Sequence, residues 1–337
     1  MSDALLNALA EALAEAVTLI ETCDDDVLDP DTAVKWLEST GFLLDRLPPA
    51  DRRELAKLVR RAADRHPEGA WREDLLRVPD GFGLDDDQHE LYCDAIKNVV
   101  AEFTEAVREV DPATPVPTCP GWTMGDLVEH HGTTHRWAEH AVRTRAVEPV
   151  WARDVPLDLP AEPSEYPQWM ARSAEVCLRT LRKVDPDLPM WSYGADQRVA
   201  FYPRRLLFEA VIHCADALLA LGLEPRIAPG TAADGIEEFL ENVPHHRGIT
   251  ERLASLTGGS IRLLAKDTGA AWSVTFGAAG FSWTKQAGDE GDADATVSAD
   301  AADLLLLVHG RRRSDEESFR VTGRAAVLEG WLTATAM

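Results

Sequence analysis

The sequence predicts an α+β multidomain protein: a helical N-terminal module, then a four-helix bundle, then a small C-terminal α+β domain. Three observations lead there. The chain has 337 residues, more than one ordinary compact domain holds. Apolar residues recur at helical spacing as far as Leu221. From about Gly258 the apolar period switches to the alternation of strands.

Residues 1–85 read as a helical extension of unassigned role, because Leu5, Leu6, Leu9, Leu13 and Val17 recur at helical spacing. Asp29-Pro30 supplies a cap and a first-turn proline for a helix through Val34, Leu37 and Phe42. Leu47-Pro48-Pro49 ends that helix before Leu55, Leu58 and Val59. Trp36 and Trp71 read as core or interface anchors, so this module is the expected surface for a protein partner or for self-association. The Asp- and Gly-rich segment from Pro79 to Gln88 reads as a linker.

Residues 89–245 read as the bundle. Ala95, Val99, Phe103 and Val107 mark a long helix closed by Asp111-Pro112. After the turn Cys119-Pro120-Gly121-Trp122, Thr123 caps a helix through Met124, Leu127, Trp137 and Val142. Trp169 to Val184 and Pro203 to Leu221 give two more, the last opening with proline and ending at Gly222. Four long helices in sequence imply an antiparallel bundle, whose interior is a usual place for metal ligands. In residues 250–337, Ile261, Leu263 and Ala265 alternate with polar positions, Asp267-Thr268-Gly269 turns, and Trp272, Val274 and Phe276 alternate again: a hairpin. Ala295 to Ser298 and Phe319 to Thr322 read as further strands, and Ala301 to Val308 and Ala325 to Leu332 as helices.

Composition narrows the partners. A formal net charge of −24 repels phosphates and releases few counterions, which argues against nucleic acid and anionic membranes. No run approaches the roughly 18 apolar residues of a membrane span. The first residues lack the basic and apolar regions of a signal peptide, so a cytoplasmic location is expected. Cys23, Cys93, Cys119, Cys177 and Cys214 are odd in number, scattered and without a C-x-x-C pair. That argues against a disulfide framework and a zinc ribbon, and most of them read as small buried hydrophobes.

The residues that could carry chemistry lie on two predicted helices. Glu209 and His213 stand four apart, so a carboxylate and an imidazole share one face. Leu206, Leu207, Phe208, Val211, Ile212 and Ala215 leave little polar surface there, which turns the pair inward. Asp216, three residues on, can accept the imidazole's other N–H. The run HHGTTHRWAEH holds His130, His131, His135 and His140. His131 and His135 are spaced for one face and could bind a metal together; His130 shares a stripe with Leu127, Thr134 and Trp137. Spacing alone leaves both open.

TCPGWTMGDLVEHHGTTHRW, followed by RRLLFEAVIHCADALLALG, resembles the mycothiol-dependent maleylpyruvate isomerase family, whose bundle is DinB-like. LLAKDTGAAWSVTFG and ADATVSADAADLLLLVHGRR resemble the sterol-carrier-like domain that follows it. The resemblance covers roughly residues 90 to 337 and uses three separated motifs in the right order. It implies a metal, usually zinc, held by His130, Glu209 and His213, with Asp216 behind them. It also implies an activity-requiring arginine in the last domain, for which Arg311 is the best match beside Arg312 and Arg313. This chain departs from the family pattern at His131, usually apolar there, and in its N-terminal module.

The function so implied is a metal-dependent enzyme in which mycothiol supplies a thiol to a small electrophile, by cis–trans isomerisation or S-transfer. Three protein ligands leave a metal position open for that thiol. Arg311 could pair with a substrate carboxylate. Two imidazoles and one carboxylate also accommodate iron, nickel or manganese. Two other readings are a non-catalytic metal- or ligand-binding or interaction module and a metal-dependent hydrolase of a thiol conjugate.

Overall fold

The computed structural model describes residues 3–47, 49–84, 88–253, 256, 258–277, 280–287 and 292–336. The chain forms two compact units, Met1–Leu91 and Tyr92–Met337. Among the described residues no helix is long and apolar enough to cross a membrane.

The first unit is helical: α1 (Asp3–Thr22), α2 (Pro30–Leu44), α3 (Pro49–Ala63) and α4 (Ala70–Gly81). Asp29 caps α2, its Oδ2 accepting from Thr32 N at 3.0 Å. Ala14, Val17, Val59, Ala63, Leu75 and Val78 form the core. The inward face of α1 is therefore Ala10, Ala14 and Val17, while Leu5 and Leu9 are exposed. Trp71 packs on this core, as expected, but Trp36 is exposed. Helix α4 takes up the start of the expected linker. Pro79 sits in its last turn, buried, where a missing N–H costs one hydrogen bond, and the helix stops two residues later. Pro48, and residues 85–87 of the linker, lie outside the described residues.

The bundle consists of α5 (Gln88–Val107), which belongs to the second unit from Tyr92 on, α6 (Met124–Thr144), α7 (Tyr166–Leu181) and α8 (Phe201–Ala220). Thr123 and Asp126 cap α6 reciprocally. Helices α6 and α7 cross at Gly132, where a Cβ would lie 2.1 Å from Trp169 Cζ3, so only glycine permits the approach. Helix α8 is buried on nearly every side, Leu206, Phe208, Ala210 and Ala217 included, so polar residues along it face the interior.

Two helices that the periodicity left out follow, α9 (Pro229–Asn242) and α10 (Arg247–Leu253). Ala232, Ile236, Phe239 and Leu240 do repeat at helical spacing, but Gly230, Ala233 and Gly235 dilute the signal. Gly235 is where α9 passes between two neighbours. A Cβ there would meet Phe208 Cδ1 of α8 at 2.8 Å and Leu305 Cδ1 at 2.9 Å.

The last part is a five-stranded sheet of β1 (Ser260–Ala265), β2 (Ala270–Gly277), β3 (Gly280–Ala287), β4 (Ala295–Ala299) and β5 (Arg320–Gly323), with α11 (Ala301–Val308) and α12 (Ala325–Thr335). Strand order is β3-β2-β1-β4-β5, with β1 parallel to β4 and the other pairs antiparallel. The expected hairpin is in register, Ile261 opposite Val274. It extends to a third strand, β3, which the sequence reading did not include. Leu305 of α11 meets α9 at Gly235, so the α+β domain rests on the bundle through α9. Helix α11 ends in a left-handed Gly310 (φ 74°), with Gly310 N bonded to Leu307 O (2.9 Å) and Arg311 N to Leu306 O (2.7 Å).

Candidate metal centre

Glu209 and His213, one turn apart on α8, meet His130 from α6. Glu209 Oε1 lies 2.9 Å from His130 Nε2 and 3.2 Å from His213 Nε2. The three ligand atoms are all within 4.8 Å of one another. Side-chain exposure falls from 39% at His130 to 18% at Glu209 and 10% at His213, so solvent reaches the cluster from the His130 side. Trp122, on the turn before α6, lies against both imidazoles, with centroids 4.9 Å from His130 and 6.1 Å from His213.

Behind the cluster sits Asp216, fully buried. Its Oδ2 accepts from His213 Nδ1 at 2.9 Å. Arg311 holds the same carboxylate with one edge of its guanidinium, Nε to Oδ1 and Nη2 to Oδ2, each at 2.9 Å. Cys119 donates to Oδ2 at 3.3 Å, Arg311 Nη2 reaches Cys119 Sγ at 3.7 Å, and Arg311 Nη1 donates to His309 O at 2.6 Å. Four of the five guanidinium N–H groups therefore have partners inside the protein. Burial alone would raise the Asp216 carboxyl, but the hydrogen bonds from His213 and Arg311 hold it well below the carboxylate range. Burial likewise works against a charged His213, yet Asp216, Cys119 and Glu209 together raise its pKa well above that of free imidazole.

The other oxygen of Glu209, Oε2, accepts from Arg205 Nη2 at 2.5 Å. Burial is again overcome here: Arg205 first, then His130 and His213, hold the Glu209 carboxyl well below its ordinary range. Arg205 is doubly bonded in turn by Glu238 of α9, at 2.9 and 2.7 Å.

The donor set fits a divalent metal. Two imidazole nitrogens and one carboxylate oxygen converge, and the remaining nitrogen of His213 is already oriented by a carboxylate, as metal-binding histidines commonly are.

The other histidines of the run do not join the ligand set, although the His131 ring lies 6.3 Å from that of His213. His131 and His135 are fully buried, with Nε2 atoms 3.2 Å apart, so one imidazole donates to the other. Burial pushes His135 down to about 4, and burial with His135 beside it pushes His131 well below its ordinary value. His140 lies by Arg143 on the outer side of α6. Of the adjacent arginines, Arg312 pairs with Glu224, Asp303 and Glu316, and Arg313 with Asp315, so Arg311 alone of the three reaches Asp216. Among the described residues two other potential ligand groups occur: Cys119, His213 and Asp216, which shares this site, and Glu11, Glu15 and His66 in the first unit.

The sequence reading did not single out Arg205, Glu238, Trp122 or Cys119 as site residues. Arg205 had a signal, its position four residues before Glu209. Glu238 had none, since its helix was itself unexpected.

Fold and cluster together define a class, a helical bundle with an inward His–Glu–His set closed from behind by an arginine of an appended α+β domain. A family model described as the mycothiol maleylpyruvate isomerase N-terminal domain matches residues 93–218, and one described as the MDMPI C-terminal domain matches residues 231–330. The chain belongs to the mycothiol-dependent maleylpyruvate isomerase family.

Among solved structures, the mycothiol-dependent maleylpyruvate isomerase is similar over 69% of this chain and 92% of its own, at 13% identity and a TM-score of 0.45. A histidine-to-alanine mutant of the mycothiol-dependent maleylpyruvate isomerase gives the same values. A UbiJ-SCP2 ubiquinone synthesis protein is similar over 33% of this chain and 93% of its own, at 22% identity and a TM-score of 0.26. No curated protein matches the chain.

Proposed function

We propose that this chain is an enzyme in which His130, Glu209 and His213 hold a divalent metal, zinc by our assignment, and mycothiol reacts with a small electrophile. The observation that supports this is the convergence of both Nε2 atoms on Glu209 Oε1 in a member of this family. A divalent ion held there would keep a thiol at its open position as thiolate at neutral pH.

The chain's own side chains prepare the site for that charge. The carboxylates of Glu209, Glu238 and Asp216 against Arg205 and Arg311 leave the ion-pair network with one net negative charge. Such a network balances a divalent cation together with a single monoanion, so a thiolate is matched where a neutral thiol is not. Asp216 fixes which nitrogen of His213 faces the ligand point, and Trp122 packs against the two imidazoles. We assign Arg311 to holding Asp216, because two of its N–H groups bond that carboxylate and two more go to His309 O and Cys119 Sγ; on this reading it supports activity without touching substrate.

For isomerisation, the thiolate adds to one carbon of an activated double bond, and the displaced electron pair moves to the conjugated carbonyl. The new single bond rotates, the pair returns, and the thiolate leaves, so no reagent is consumed. For S-transfer, a leaving group departs with its bonding pair instead.

The test uses metal-loaded full-length protein with mycothiol and maleylpyruvate as probe, followed by NMR. Thiol-dependent conversion to the trans isomer is expected in the wild type and not in Glu209→Ala. Undiminished thiol-dependent turnover by metal-free Glu209→Ala would overturn the scheme.

A further inference from the structure

The two oxygens of Glu209 do different things. Oε1 faces both imidazoles, whereas Oε2 accepts from Arg205 Nη2 at 2.5 Å. Arg205 does not stand alone: both oxygens of Glu238, 1% exposed, accept from Arg205 Nη1, at 2.9 and 2.7 Å. Glu238 Oε1 also accepts from Asn242 Nδ2 at 3.0 Å, and Asn242 Oδ1 accepts from the backbone N–H of Ala195 at 3.1 Å. Beside it, a Cβ on Gly194 would lie 2.2 Å from Asn242 Oδ1, so the backbone closes directly onto the amide. A chain of bonds thus runs from the main chain at Ala195 through Asn242, Glu238 and Arg205 to one oxygen of a candidate metal ligand.

We propose that Arg205 is a positioning residue: by occupying Oε2 it restricts Glu209 to ligation through Oε1 alone, which keeps a coordination position free for the thiol. Glu238 and Asn242 hold Arg205 in that orientation. The inference rests on the metal-centre reading above. A carboxylate with both oxygens free can bind a metal through two atoms. With two imidazoles, that would fill four positions and leave the thiol competing with a ligand of the protein itself. Guanidinium suits the task because its planar fork donates to Glu238 through Nη1 and still presents an Nη2 N–H to Glu209.

The test replaces the metal with Co²⁺, whose visible absorption separates four-coordinate from five-coordinate sites. Wild type, Arg205→Met, Arg205→Lys and Glu238→Gln are each loaded and titrated with mycothiol. In Arg205→Met, the freed Oε2 should join the metal, with weaker, five-coordinate bands before thiol is added and a thiol Kd raised about tenfold or more. Arg205→Lys, which keeps one donor and the charge, should restore the wild-type bands. Glu238→Gln, which leaves every neighbour of the metal in place, should move the bands and the Kd in the same direction by less. It also carries the test if Arg205→Met fails to fold. Wild-type bands and wild-type thiol affinity in both Arg205→Met and Glu238→Gln would overturn the positioning role alone. A wild type that takes up no Co²⁺ would overturn the metal centre and this inference with it.

Discussion

Asp216→Asn separates the support of the cluster from the cluster itself. The substitution keeps the shape of the side chain and removes its charge. In the structure that charge answers two N–H groups of Arg311 at 2.9 Å and His213 Nδ1 at 2.9 Å, with Asp216 fully buried and Arg311 13% exposed. Removing one partner of such a pair costs about 3–5 kcal/mol, because the other charge stays buried without an anion. The asparagine carbonyl can still accept one bond, so the lower end, about 3 kcal/mol, is expected. Loss of the carboxylate that orients His213 should lower metal affinity about 10–100-fold, which is roughly 1.4–2.7 kcal/mol. The two effects need separate assays. Amide exchange of α8 peptides in the presence of chelator reads the stability of the bundle without the first unit, and chelator competition reads the metal. If exchange from α8 changes by less than about 0.5 kcal/mol and metal affinity is unchanged, then Asp216 does not couple Arg311 to His213 and the reasoning fails.

Two further predictions follow from the fold around the site. His135, pushed down to about 4 by burial, stays neutral in the folded chain, whereas the unfolded chain takes up a proton near pH 6.5. The unfolded state then binds more protons, so stability should fall as pH drops from about 6.5 toward 4. His135 alone should remove about 2 kcal/mol between pH 7 and pH 5, and His131 acts in the same direction. Amide exchange of α6 at the two pH values checks this, and a His131→Leu/His135→Leu variant should flatten the dependence. Gly310→Ala, at φ 74°, should cost about 1 kcal/mol in thermal unfolding and lower activity through the displaced turn that aims Arg311. Wild-type activity in that variant would show that the turn does not place the arginine.

Much of this architecture could be read from the chain, for reasons that are local. Thr123, Asp29 and Gly222 mark helix ends through their own backbone and capping chemistry, and Ile261, Leu263, Trp272 and Val274 mark a hairpin through alternation. Glu209 and His213 could be paired because a helix turn is itself local. What could not be read depends on contacts far apart in sequence. Nothing in HHGTTH tells His130 from His131; the choice lies in how α6 meets α8, a contact between residues 79 positions apart. The family resemblance selected His130, and the geometry brings that imidazole to Glu209 while His131 turns to His135. Glu238 reaches Arg205 only because α9 threads between α8 and α11, and the 52% exposure of Trp36 leaves it outside the core, where residue type alone did not separate core from interface.

The central claim is that one divalent ion is held by three named side chains. Elemental analysis of full-length wild type, His130→Ala, Glu209→Ala and His213→Ala, each purified without chelator and checked for native circular dichroism, tests it most directly. The account predicts about one divalent ion per chain in the wild type and a loss of about tenfold or more in affinity for each variant. Equal metal content and affinity in all four proteins, or no metal in the wild type even after loading, would contradict it.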